Sequence, residues 1–310
     1  MTKRPRLTVL GSLNMDISVT VPRLPGPGAT VLGSAASFTP GGKGANQAVA
    51  AARLGADVRV VGCVGDDDFG RRLLAALRGE GVDAGGLRTV PQTPTGLAMI
   101  SVDAAGENLI TVAPGANREV GAQDVAAATG SPADVLVVSA EIPVPAIRSA
   151  LTQARGALCL LNLAPAPAEA AAIVADGVDW LVVNESEAAA VLGHPVDGLN
   201  DAARAAAGLV AAGARHAVVT AGPHGAAVAG PEGTAKTIPA FGVDAVDTVG
   251  AGDAFVGALA VALAAGVPAA AAVRAAAAAG ATAATRHGAQ AGMPRPGDIR
   301  AATGLTWPVP

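Results

Sequence analysis

A chain of 310 residues, 51% of them hydrophobic, has enough apolar material for one large α/β domain or two ordinary ones. With 21 basic against 25 acidic residues, a net charge of −4 and no dense basic run, it lacks the electrostatic footprint of a nucleic-acid binder, so no such partner is expected. Two cysteines, Cys63 and Cys159, make neither a disulfide framework nor a metal cluster and suit a reducing cytoplasm, and the four histidines show no metal-ligand spacing.

In chain order, the basic start at 1–6 precedes an apolar run, 7–10, that is too short for a secretory leader core and reads as the first strand. Asn14 and Asp16 stand just beyond it, two apart and therefore on one face of an extended chain. An amide that donates and accepts, beside a carboxylate that only accepts, suits vicinal hydroxyls; a turn-forming Asn and Asp is the plainer alternative. Next comes Pro40-Gly-Gly-Lys-Gly-Ala-Asn46-Gln47, opening a helix predicted over 46–54. Three glycines in four positions allow close approach of backbone to a ligand and put Lys43 and Asn46 at a helix start. The motif is no Walker loop, since Gly44 follows Lys43, and a glycine turn with Asn46 as helix cap explains it equally well.

A strand at 58–61, a solvated acidic turn Gly65-Asp-Asp-Asp68 and a helix at 70–78 follow. Further strands are expected at 135–139, 158–162, 180–184 and 217–220, and further helices at 144–154, 186–192, 202–212 and 252–264. Gly55, Gly79, Gly193, Gly213 and Gly266 sit where helices should stop. This alternation predicts a doubly wound, mainly parallel α/β sheet flanked by helices, with ligands outside the carboxyl ends of its strands. Two segments break the pattern: 17–21 with 30–38, and a hairpin of 97–102 and 108–112 around Asp103-Ala-Ala-Gly106. Strands too few for a domain suggest a small β lid, about 15–38 and 96–112.

Asn184-Glu-Ser-Glu187 opens a helix at a strand's carboxyl end, where an amide and an acid can hold Mg²⁺ through water; a capping box served by Ser186 is the alternative. Thr220-Ala-Gly222-Pro-His-Gly225 suits a nucleotide edge or a plain hairpin. The strongest motif is Asp247-Thr-Val-Gly250-Ala251-Gly252-Asp253-Ala-Phe-Val-Gly257, which runs directly into an apolar helix. Glycines at a helix N-terminus expose unpaired N–H groups in the positive end of the helix dipole, a receptor for a phosphoryl group in transfer. Asp253 lies beside them, placed to take a proton from an attacking hydroxyl. The uncharged stretch 256–273 is interrupted by Pro268 and reads as two buried helices, with no membrane span.

The two glycine motifs, at 41–47 and 247–257, resemble the paired signatures of the ribokinase-like carbohydrate kinase family, and the likeness runs from about residue 7 to 293. The resemblance implies one α/β domain over 1–310 with a β lid, a cytoplasmic homodimer joined through lid strands, and ATP and a small free sugar as ligands. It implies transfer of the ATP γ-phosphate, to O5 of D-ribose foremost, with deoxyribose or fructose as alternatives. A non-catalytic sugar sensor on the same fold is the rival of another class; it would be expected to lose Asp253 or the glycines, and both are present. Carried over by position, Asn14, Asp16, Gly42, Lys43, Asn46 and Glu141 would hold the sugar. Asp253 would be the base and Gly250, Ala251 and Gly252 the anion hole. Asn184 and Glu187 would serve Mg²⁺, and Thr220, Gly222, Gly225 and Ala277 would line the nucleotide site. An activating K⁺ would sit among Asp247, Val249, Ala283, Arg286, Gly288 and Gly292, mostly on carbonyls. Gly292 stands where a serine often serves that loop, and Ala277 where an asparagine can meet adenine. Met15, between the two sugar ligands, is tolerated in that family; the alternative is that it enlarges the apolar side of the pocket, as in a deoxyribose-preferring relative.

Overall fold

The computed structural model describes residues 4–154 and 156–309; Met1, Thr2 and Lys3 of the basic start lie outside the described residues. Thirteen strands are described: β1 (Arg6–Leu10), β2 (Asn14–Thr20), β3 (Ser37–Gly41), β4 (Asp57–Gly65), β5 (Asp83–Val90), β6 (Gly96–Val102), β7 (Asn108–Ala113), β8 (Val135–Ser139), β9 (Leu158–Asn162), β10 (Val178–Asn184), β11 (Ala214–Thr220), β12 (Gly225–Ala229) and β13 (Ala235–Pro239). The helices are α1 (Lys43–Arg53), α2 (Asp68–Gly79), α3 (Ala122–Thr129), α4 (Val144–Gln153), α5 (Ala170–Ala175), α6 (Glu185–Leu192), α7 (Gly198–Ala211), α8 (Ala251–Ala264), α9 (Ala269–Ala284), α10 (Ala289–Gly292) and α11 (Pro296–Thr303).

Nine strands form one sheet in the order β13-β12-β11-β10-β9-β8-β1-β4-β5, parallel from β11 to β5 with an antiparallel hairpin at the β13 edge. Strand periodicity divides the core between its faces. Leu7, Val9, Val135, Val137, Trp180 and Val182 pack with α1, α8 and α9, while Leu10, Leu136, Val138, Leu181 and Val183 pack with α3 to α7. The chain leaves β1 for β4 and β5 on one side and then returns to β8 on the other. A topological switch point therefore lies between β1 and β8, the place where open α/β sheets bind ligands.

With so few aromatic side chains, small residues set the helix spacing. A Cβ on Gly257 of α8 would stand 2.7 Å from the Ala50 Cβ of α1, so α8, buried throughout 253–262, lies tight against the helix that carries Lys43. Pro268 separates α8 from α9 as expected, and no helix among the described residues is long and apolar enough to cross a membrane.

The small sheet, in the order β3-β2-β6-β7, contains the predicted hairpin, but its first half differs from expectation. Asn14 and Asp16 belong to β2 itself. The partner strand is Ser37–Gly41, because the register Ser18↔Ser37 carries residues before 35 past the end of β2 at Thr20. Three strands escaped the sequence analysis: β5, with its glycine pair, and the short hairpin β12–β13. Gly79 lies inside α2, and the left-handed residue after that helix is Gly81, φ +77°.

The acidic turn is more than a solvated loop. Asp67 caps α2 by accepting the Gly70 N–H at 2.8 Å, and it also accepts the Thr95 N–H and hydroxyl at 2.8 and 2.6 Å, tying α2 to the residue before β6. Burial pushes its carboxyl up, but these donors outweigh burial and hold it below the ordinary carboxylate range.

Candidate active site

At the switch point, β1 runs out into Gly11 and Ser12, and β8 into Ala140 and Glu141. The Ser12 hydroxyl donates to Glu141 Oε2, which also receives the Lys43 N–H at 3.4 Å. Helix α1 starts here with Gly42 as its cap residue, so Asn46 is no cap. The buried Asn46 instead turns inward, and its Nδ2 donates to Asp253 Oδ2 at 2.9 Å. Gln47 Nε2 donates to Asp253 Oδ1 at 3.0 Å and also to Asn162 Oδ1 at 3.0 Å, from the end of β9. Asp253 is only 7% exposed, its carboxylate oriented by two amides with lone pairs to spare. Asn46 Oδ1 is buried without a donor, so it offers an acceptor to a ligand hydroxyl.

The glycines of the first motif also serve the packing of the chain against itself. A Cβ on Gly41 would lie 2.1 Å from Asp16 Oδ2, on Gly42 2.6 Å from the Asn14 nitrogen, and on Gly44 2.6 Å from the Gly11 carbonyl carbon. The space they leave is filled by the β1–β2 segment of the chain itself, which brings Asp16 and Lys43 to one place. Gly252 differs: nothing lies within 4 Å of its Cβ position, so its backbone is open to approach.

At the head of α8, Gly250 is left-handed (φ +81°) and pressed against Ala289. The Ala251 N–H donates to the Thr248 carbonyl, whereas the N–H groups of Gly250, Gly252 and Asp253 meet no acceptor among the described residues. This helix start can receive an anion beside a carboxylate.

Charge is concentrated in this cleft. Burial first, then the charges of Glu141 and Asp253, push the Asp16 carboxyl up from 3.8 to about 7. Burial would lower the Lys43 ammonium, but Asp253, Glu141 and Glu187 outweigh it and raise that group. Burial raises Glu187, against the opposing pull of the Asn184 N–H and Lys43. A carboxyl raised in the folded protein makes folding less favourable as pH climbs from its unfolded to its folded value. The difference in unfolding free energy between the wild type and Asp16→Asn, from urea titrations at each pH, is therefore expected to shift steadily against the wild type from about pH 4 to about 7 and then level off. A flat difference would refute the burial of an ionisable Asp16.

Met15 points away from Asn14 and Asp16, as strand alternation requires, and is wholly buried in the core. It cannot enlarge the pocket. A cavity of about 620 Å³ adjoins the cleft, lined by Asn14, Asn117, Glu141, Val112, Arg118 and Pro165 among others. A second, larger cavity of about 910 Å³, between α2 and the small sheet, includes none of the predicted site residues.

Asn184 and Glu187 form the capping box: the Glu187 N–H donates to Asn184 Oδ1 at 2.9 Å and the Asn184 N–H to Glu187 Oε2 at 2.8 Å. Ser186, expected to cap, donates its hydroxyl to Asn184 Oδ1. The oxygen-only side chain of Glu187, within electrostatic reach of Lys43, fits water-mediated Mg²⁺. Asn184 pairs with Thr220 across β10 and β11, so the carboxyl ends of both strands open on the same side. Gly222 is exposed, but a Cβ on Gly225 would meet the Ile238 carbonyl at 2.1 Å, so Gly225 serves the β12–β13 hairpin. Ala277 is half-buried on α9.

Part of the segment expected to hold a cation is tied together through Asp247. Asp247 Oδ1 and Oδ2 accept the Val249 and Gly288 N–H groups at 2.9 and 2.8 Å. The carbonyls of Ala283 and Arg286 lie 3.3 and 3.5 Å from where a Gly292 side chain would begin. The Arg286 side chain turns aside to Asp298 at 2.8 Å. The Ala283 and Arg286 carbonyls and the Asp247 carboxylate are hard oxygen donors, the ligand type a hard cation takes.

Sequence reasoning missed Gln47, Asn162 and Asn117. Gln47 closes the first glycine motif without a role assigned to it and Asn162 is the polar end of an apolar strand, signals that are visible but weak; Asn117 follows the lid hairpin with no spacing to mark it.

A family model described as pfkB family carbohydrate kinase matches residues 4–296. Ribokinase of Schizosaccharomyces pombe is 37% identical over 305 residues, 93% of this chain and 94% of that protein. Deoxyribokinase of Salmonella typhi is 35% identical over 258 residues, 82% of this chain and 84% of that one. The solved structure of Arabidopsis thaliana ribokinase complexed with ribose and ATP superposes with a TM-score of 0.86 at 29% identity, covering 98% of this chain and all of that one.

Proposed function

The chain belongs to the pfkB family of carbohydrate kinases and is an ATP-dependent sugar kinase, and from that premise we propose that it phosphorylates D-ribose at O5, giving ribose 5-phosphate and ADP. The observation that carries this reading is the convergence of Asp253, Asn46, Lys43, Asp16 and Glu141 in one buried cleft at the switch point, with an open helix N-terminus alongside.

Asn14, Asp16, Gly42, Lys43, Asn46 and Glu141 hold the sugar, with Asp16 accepting hydroxyl hydrogens and the amides donating and accepting. Asp253, oriented by Asn46 and Gln47, takes the O5 proton as O5 attacks the γ-phosphorus. The bond to the β–γ bridging oxygen breaks in line, and ADP leaves. The N–H groups of Gly250 and Gly252, joined by that of Asp253, receive the charge on the moving phosphoryl. Asn184 and Glu187 would hold Mg²⁺ through water, and the ion would supply neutralising charge at the phosphates. Thr220, Gly222 and Ala277 border the nucleotide. The carbonyls of Val249, Ala283, Arg286 and Gly288, with Asp247, would hold K⁺, which would supply fixed positive charge to the loop that ends at Gly250.

Deoxyribose is the second reading, because the ribokinase and deoxyribokinase relatives match at 37% and 35% identity, too close to separate them. Kinetics of ADP release with ribose, deoxyribose, fructose and adenosine test the proposal. Ribose should give the highest kcat/KM; a higher value with deoxyribose would reassign the substrate, and no release with any sugar would favour a sensor.

The small sheet is the lid, and its outer face also supports a homodimer. Phe38, Met99 and Leu109 alternate onto that face and are exposed, and β7 is a fully exposed edge strand. The buried reduced thiols of Cys63 and Cys159 suit the cytoplasm.

A further inference from the structure

Leu13 enters the lid with both of its backbone polar groups held by one side chain. Its N–H donates to Asn117 Oδ1 at 2.9 Å, and its carbonyl accepts from Asn117 Nδ2 at 3.1 Å. A peptide N–H can only donate and a peptide carbonyl can only accept, so these contacts fix which end of the Asn117 amide is oxygen and which is nitrogen. The same Nδ2 also donates to Asn14 Oδ1 at 2.8 Å. The orientation passes on: Asn14 must keep its oxygen toward Asn117, leaving its NH₂ group, which meets no acceptor among the described residues, for the cavity shared with Glu141.

Asn117 is held as firmly as it holds. It is 1% exposed and sits in the short turn Gly115–Glu119 where the chain leaves β7, and there the Ala116 N–H donates to the Pro94 carbonyl at 2.8 Å. Gly96, at the start of β6, backs onto the pair: a Cβ there would stand 2.3 Å from both Asn117 Nδ2 and Asn14 Oδ1.

We propose that Asn117 is a positioning residue for sugar recognition, fixing Asn14 as a hydrogen-bond donor toward the sugar while the neighbouring Asp16 supplies the acceptor. This rests on the reading that Asn14 holds the sugar. It makes the β2 pair a directional reader of the ligand, one residue for oxygen lone pairs and the other for hydroxyl hydrogens, with the direction of Asn14 set by Asn117.

The test is a double-mutant cycle on the full-length enzyme, with KM for ribose, KM for ATP and melting temperature read in parallel. Asn117→Asp keeps the acceptor for the Leu13 N–H but sets an oxygen against Asn14 Oδ1, so Asn14 turns over. KM for ribose is expected to rise about tenfold while KM for ATP stays within about twofold. In an Asn14→Ala background the same substitution should change KM for ribose less than about twofold, because its effect passes through Asn14. Gly96→Ala, which pushes the two amides apart, should show the same pattern and carries the test if Asn117→Asp does not accumulate folded. An unchanged KM for ribose in Asn117→Asp, or an equal rise with and without Asn14, would overturn the inference alone. Asn14→Ala leaving KM for ribose untouched would instead remove the site reading, and the inference with it.

Discussion

Asp253→Asn should lower kcat by at least about 10²-fold with little change in sugar affinity or fold. The carboxylate accepts from both Asn46 and Gln47 and stands in the first turn of α8. An amide is nearly the same shape but cannot take up a proton from O5 at neutral pH, so the loss belongs to the chemical step. Folding should tolerate the change, because Asn46 Oδ1 and Gln47 Oε1 are both buried without donors and either amide can turn to accept the new NH₂ group. Steady-state kinetics with ribose and ATP, alongside urea unfolding, check both halves. Turnover near that of the wild type would end the assignment of Asp253 as base.

Gly42→Ala should reduce kcat/KM by at least about 10²-fold and lower the melting temperature as well. Gly42 has φ +89° and ψ 137°, a conformation that costs a residue with a Cβ on the order of 1–3 kcal/mol. The added carbon would also come within 2.6 Å of the Asn14 nitrogen and 2.8 Å of Leu13 Cα and the Ser12 carbonyl, all backbone atoms that cannot swing away. The loop must then retreat from the β1–β2 segment, separating Lys43 from Asp16. Gly252→Ala is the control with the opposite signature. Its Cβ meets nothing within 4 Å, so stability should hold and any fall in activity reports a phosphoryl group kept from the helix start. Calorimetry paired with initial rates separates the two; a Gly42→Ala protein of unchanged stability would contradict the packing argument.

The comparison between these glycines shows where sequence reasoning stops. Both motifs announced close approach of backbone to something, and a ligand was the natural partner to suppose. At Gly252 the approach remains open, but at Gly41, Gly42 and Gly44 it is taken by Asp16, Asn14 and Gly11 of the same chain. A glycine marks the absence of a side chain and carries no record of what fills the space. Asn46 is similar: at a helix start it reads as a cap, and only its partner Asp253, 207 residues away, reveals it as an orienting donor.

By itself the sequence determined the alternating strands and helices, the mainly parallel sheet, the break at Pro268, the lid hairpin and the two glycine motifs. Those follow from short-range chemistry: side-chain periodicity, turn residues and helix ends, each complete within a few positions. The tertiary structure decided the rest. It set the raised carboxyl of Asp16, the pairing of Gln47 with Asn162, the role of Asn117 and the burial of Met15 away from the pocket. Each of these depends on which groups meet across the fold, and hydrogen bonds, desolvation and charge act through that distance in space, to which position along the chain is no guide.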